Sequence, residues 1–197
     1  MITYKFLLPI LFIFCNSCSE IKTEQKSPTL NTLANQKQVF NPDIMINELQ
    51  LGNPESIIKN IGDLKDKIKE EESLPYVKVS NKDNSQILEL ILFPGSGYND
   101  VYQFKVSYNT DKERVPSKLN DLEFITESNI KLGITKAILI SIKGKGFIED
   151  GNIIKYEITE SDNPIFLQKY NLPVYYAEYI FDDNNLLTRF DFGFIYP

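Results

Sequence analysis

The hydrophobic rhythm changes several times along the chain. An unbroken apolar run from Phe6 to Phe14 gives way to a polar stretch, Ser19 to Asp43, with no sustained period. A motif then occurs twice. Leu51 matches Leu132, Gly52 matches Gly133, Ile57 matches Ile138, Ile58 matches Leu139 and Ile61 matches Ile142, all 81 residues apart. In each copy Leu-Gly ends an extended stretch. Asn53 or Thr135 is placed to cap a helix, and Pro54 suits its first turn. Apolar residues at i, i+1 and i+4 form one buried stripe. Gly62 or Gly144 is placed to stop the helix.

Strand patterns follow both helices. Residues 85–93 are apolar at nearly every position, which predicts a central strand. Residues 101–108 alternate, with Tyr102, Phe104, Val106 and Tyr108 inward and Gln103, Lys105 and Ser107 outward. Ile154, Tyr156 and Ile158 share one face of the next strand. Residues 175–181 and 187–196 flank Asp182-Asp183-Asn184-Asn185, a strong hairpin signal. A short helix and then antiparallel strands, done twice, predicts an α+β fold of two tandem helix-then-antiparallel-sheet repeats. The expected divisions are 1–17, a lipoprotein signal peptide; 18–43, a flexible tether; 44–126, the first repeat; and 127–197, the second.

The front of the chain has its own chemistry. Lys5 precedes an apolar run too short for a bilayer, which needs roughly 20 apolar residues. That is the pattern of a secretory signal. Cys18 follows Asn16-Ser17, small enough for a signal peptidase, whereas Cys15 follows the bulky Ile13-Phe14. Cys18 is therefore the expected lipid acceptor, and it leaves the mature chain without a free thiol. A Cys15–Cys18 disulfide is the rival reading and requires the signal to stay attached. A tether of this length and composition has an r.m.s. reach on the order of 25–30 Å.

Composition narrows the function. Removing residues 1–17 takes one charge, Lys5, and leaves 20 basic against 27 acidic side chains. That acidity disfavours nucleic acid, where neutralising phosphates dominates affinity. The chain has no His, so no imidazole metal ligand and no Ser-His or Cys-His pair exists. Carboxylate, Lys or Tyr chemistry stays open.

The Leu-Gly motif, followed by a strand and a Tyr-rich hairpin, resembles the repeats of the beta-lactamase inhibitor protein fold. It is also similar to the small outer-membrane assembly lipoproteins of that shape. Ser17-Cys18-Ser19 resembles the loose lipobox of Bacteroidota lipoproteins. The second half, through Ile130-Lys131-Leu132-Gly133, Gly151 to Tyr156 and Tyr175 to Phe181, also resembles uncharacterised Bacteroidota lipoproteins. The resemblance covers residues 44–197 and implies an outer-membrane lipoprotein that binds protein and catalyses nothing. Lys143 departs from it, standing where the family has Leu or Gly.

Candidate sites are few. Nine aromatic residues crowd Tyr170 to Tyr196. Their spacing assigns Phe190, Phe192, Phe194 and Tyr196 to one strand face, and Tyr179 and Phe181 to another. Tyr175 and Tyr176 point to opposite faces, so they are the candidate partner-binding residues. Asp182-Asp183-Asn184-Asn185 lacks the spacing and distal Glu of a calcium loop. Glu70-Glu71-Glu72 reads as a solvated face. Pro94-Gly95-Ser96-Gly97-Tyr98 and Gly144-Lys145-Gly146 lack the following Lys-Ser/Thr or helix of a phosphate site. The expectation is a non-enzymatic lipoprotein with no cofactor and no metal. It would hold the membrane through acylated Cys18 and bind an envelope protein partner. An immunity or inhibitor protein against a secreted toxin, or a glycan binder, is the alternative.

Overall fold

The computed structural model describes residues 40–69, 74–112 and 114–196. The expected signal peptide, both cysteines, the expected tether up to residue 39 and Glu70-Glu71-Glu72 lie outside the described residues.

The described residues form a mixed α/β fold. Strands β1 (Met45–Ile46) and β2 (Leu49–Gln50) make a small hairpin, followed by α1 (Pro54–Ile61) and a 3-10 turn. Then come β3 (Tyr76–Ser80), β4 (Gln86–Leu92), β5 (Val101–Tyr108) and β6 (Ser117–Lys118). The remainder is α2 (Lys136–Lys143), β7 (Ile148–Asp150), β8 (Ile153–Thr159), α3 (Pro164–Tyr170), β9 (Val174–Phe181) and β10 (Leu187–Phe194). Eight strands form one sheet in the order β6-β3-β4-β5-β10-β9-β8-β7, antiparallel except for the β6–β3 pair. At its centre β10 pairs with β5, with Phe192 opposite Phe104 and Phe190 opposite Val106.

Local chemistry sets the helices. The Asn53 side chain accepts the Ser56 N–H at 3.2 Å, Pro54 fills the first turn, and Gly62 closes α1 at φ +85°. The Thr135 hydroxyl accepts the Ile138 N–H at 3.3 Å, and Gly144 closes α2 at φ +83°. The two Leu-Gly turns are also tied alike. The Gly52 N–H reaches the Val101 carbonyl at 2.9 Å, and the Gly133 N–H reaches that of Leu187 at 2.8 Å.

The helix register differs from the sequence pairing. An extra residue, Ile134, lies between the second Leu-Gly and its cap. Ile57 is buried, whereas its expected match Ile138 is 46% exposed. The residue that takes the place of Ile57 is Leu139, fully buried, and Gly144 then falls opposite Gly62. Helix α3 adds to the two helices that the sequence predicts, and Asn163-Pro164 repeats the Asn53-Pro54 start. Asn163 caps Phe166 at 3.1 Å.

One hydrophobic core covers one sheet face. Leu88 and Leu90, Phe104 and Val106, Phe190, Phe192 and Phe194, and Tyr156, Tyr175 and Tyr179 meet Ile57, Leu139 and Leu167 of the helices there. Burying each ring contributes on the order of 1.5–3 kcal/mol. Two residues of β5 depart from simple alternation. Tyr108, expected inward, is 42% exposed at the strand end. Gln103, expected outward, is buried because its amide donates to the Phe194 carbonyl at 2.8 Å.

The packed body begins earlier than the division at residue 44. Phe40 is 4% exposed, with its ring 4.7 Å from that of Tyr156. Residues Phe40 to Met45 form a strap held by the later half. The Ile44 and Met45 N–H groups donate to the Glu127 carboxylate at 2.8 and 2.6 Å.

Candidate binding face of the sheet

Side chains alternate across a strand, so the residues between the core positions project from the opposite face. None of them belongs to the hydrophobic core. Strand pairing lines them up in rows. The middle row runs Lys78, Glu89, Lys105, Asp191, Glu178, Lys155, each directly opposite the next. One flanking row runs Tyr76, Ile91, Gln103, Gly193, Tyr176, Glu157. The other holds Ser80, Ile87, Ser107, Arg189, Ile180 and Ile153.

Ion pairs hold the middle row. Lys105 Nζ lies 2.9 Å from Glu89 Oε2, and Lys78 Nζ lies 3.8 Å from Glu89 Oε1. Lys155 Nζ is 2.7 Å from Glu178, and the Arg189 guanidinium is 3.5 Å from Glu178 and 3.6 Å from Asp191. Opposite charges facing across strands contribute up to about 1 kcal/mol, and like charges cost a similar amount. Asp191 and Glu178 are such a like pair, with side chains only 14% and 17% exposed. Burial pushes the Asp191 carboxyl up to about 6; Arg189 opposes that shift and Glu178 adds to it. Burial likewise raises the Tyr176 hydroxyl, with Asp191 adding to the effect.

The face is not flat. A depression of about 470 Å³ is lined by Tyr76, Lys78, Glu89, Ile91, Gln103 and Lys105. A second of about 220 Å³ lies toward the other edge, beside Lys155, Glu157, Tyr176 and Glu178. Between Gln103 and Tyr176 the row has no side chain. Gly193 sits at φ +148°, and a Cβ there would lie 2.2 Å from the Tyr102 carbonyl oxygen.

The expected partner residues separate. Tyr175 is fully buried under the strap, donating its hydroxyl to the Asp43 carbonyl, with the rings of Phe40, Phe166 and Phe194 around it. Tyr176 is half-buried on the charged face. Most of the aromatic tail is core, and Tyr196 is 46% exposed. Asp182 spends its Oδ1 on the N–H groups of Asn184 and Leu186, at 2.9 and 2.8 Å, as a hairpin turn requires. Gly97 donates to Asp100 at 3.0 Å within a turn between strands. No group of three or more acidic or sulfur ligands suits a metal among the described residues.

The charged row escaped sequence reasoning. Its signal was present in part, since Lys105, Lys155, Glu178 and Asp191 stand at outward positions of alternating strands, whereas Glu89 lies in a strand that is apolar at nearly every position. Only the register of six strands makes them one row.

A one-sided antiparallel sheet with helices on its apolar face is the class this geometry defines. No known protein family, curated protein or solved structure matches the chain. Among the described residues no helix is long and apolar enough to cross a membrane.

Proposed function

We propose that this is a membrane-anchored, non-enzymatic lipoprotein that docks a protein partner of the cell envelope on the charged sheet face. The observation that carries the reading is the asymmetry of the sheet. One face is filled by the core, and the other presents ordered charges edged by Tyr76, Ile91, Tyr176 and Ile180. Partially buried ion pairs beside aromatic and aliphatic side chains favour a specific protein surface over a diffuse one. The charges of the row nearly cancel, which suits a partner of patterned charge rather than a polyanion. The anchor is acylated Cys18 and the location is the outer membrane. Both follow from the leader pattern.

The sheet is also read as two copies of one helix-then-strands unit meeting at β5 and β10. Supporting this are the matching Leu-Gly ties to the first residues of β5 and β10, and the matching caps and glycine stops of α1 and α2.

A photo-crosslinking amino acid placed at Tyr176 tests the docking face, with Ile58 on the outer surface of α1 as control. A discrete adduct with an envelope protein from position 176, absent from position 58, is the expected result. Equal labelling from both positions overturns the reading. Replacing Cys18 with Ser should abolish labelling by a fatty-acid probe.

A further inference from the structure

The strap closes over a pair of reactive groups that the docking face does not use. Lys143 Nζ lies 2.8 Å from Asp43 Oδ2, and the two side chains are 1% and 0% exposed. Nζ also donates to the Asn41 carbonyl at 2.7 Å and lies 3.2 Å from the Ser128 hydroxyl. Asp43 Oδ1 accepts the Ser128 N–H at 3.2 Å. The Phe40 ring covers the pair, 6.0 Å from Nζ. Neighbours on every side thus fix an amine against a carboxyl with water shut out.

Two charges removed from water are expensive even when paired. Burial pushes the Lys143 ammonium down, while Asp43 opposes the shift. Moving one proton from the ammonium to the carboxylate removes both charges. A neutral amine then has two N–H groups and one lone pair. The Asn41 carbonyl and the Ser128 hydroxyl can take the two N–H groups, which leaves the lone pair facing the carboxyl.

We propose that Lys143 and Asp43 condense into an intramolecular isopeptide bond. The Nζ–Cγ bond forms and the Cγ–Oδ2 bond breaks. Oδ2 leaves as water with two protons, both from the lysine ammonium, whose third proton stays as the amide N–H. Oδ1 becomes the amide oxygen, still held by the Ser128 N–H. No atom changes oxidation state. Exclusion of water opposes hydrolysis, and the product is uncharged where the reactants were an ion pair. The link ties the strap to the end of α2 and gives Lys143 a role that Leu or Gly cannot fill.

Intact mass spectrometry of the denatured full chain tests this. The expected mass is about 18 Da below that of the unlinked chain, the loss of one water. Trypsin should release Gln38–Lys59 joined to Ala137–Lys145, because acylated Lys143 is not cut. Lys143→Met should restore the full mass. Asp43→Asn should lose about 17 Da, as ammonia, by the same reaction. A wild-type mass equal to the unlinked chain overturns the proposal. So does a water loss that persists in Lys143→Met. The wild-type measurement stands whether or not either variant folds.

Discussion

The two faces of the eight-stranded sheet come from the same strands, residue by alternate residue, and they obey different rules. On β10, Phe190, Phe192 and Phe194 are fully buried, while Arg189 and Asp191 between them form ion pairs on the other face. The buried face gains from every ring it adds. The charged face tolerates Asp191 opposite Glu178, an arrangement that weakens the sheet locally. Sites that break local stability rules are where function is expected. The difference teaches that core packing and surface charge are set independently along a single strand.

The sharpest way to break the comparison is Gly193→Val, since a side chain there would strike the backbone of β5. A side chain there strikes the Tyr102 carbonyl and must adopt φ +148°, so the central β5–β10 pair cannot close. Loss of cooperative folding, or at least about 4 kcal/mol in urea denaturation, is expected. Near-wild-type stability would show that the strands can part without cost.

Phe192→Ala removes a fully buried ring and should cost about 3–5 kcal/mol. On the opposite face of the same sheet, Lys105→Ala breaks a partly exposed ion pair and should cost under about 1 kcal/mol. Comparable losses in the two variants would erase the distinction between the faces.

Asp191 gives a pH test. Its folded value of about 6 lies above the ordinary carboxylate value of 3.8, so the folded state binds the proton more tightly. This group's contribution to stability is therefore full below about pH 4 and is lost as pH rises through about 6. Asp191→Asn should flatten that slope and stabilise the protein at pH 7 by up to roughly 2 kcal/mol. Denaturation midpoints from pH 4 to 7 measure it, and an unchanged slope would show that Asp191 titrates normally.

Much of the fold was legible from short spacing. Asn53-Pro54 and Thr135 mark helix starts, Gly62 and Gly144 mark stops, and Asp182 to Asn185 marks a turn, because each acts within four residues of itself. Helix α3 carried the same Asn-Pro signal, but its seven residues lack the Leu-Gly turn that marks the other two helix starts. The one-residue slip between Ile57 and Leu139 was hidden because Ile58 and Ile138, exposed in the structure, are as apolar as the residues that are buried. The charged row and the Lys143–Asp43 contact were beyond reach for a different reason. Both depend on register or packing between residues far apart in the chain, and the polar composition of residues 18–43 assigns Asp43 to the tether.

The central claim is that the charged face binds and the apolar face folds. The most direct test measures, for Lys78→Glu, both the melting temperature and the yield of the adduct formed from position 176. A large fall in adduct with a melting shift of only a few degrees is predicted. An undiminished adduct, or one that falls only in proportion to lost folded protein, would contradict it.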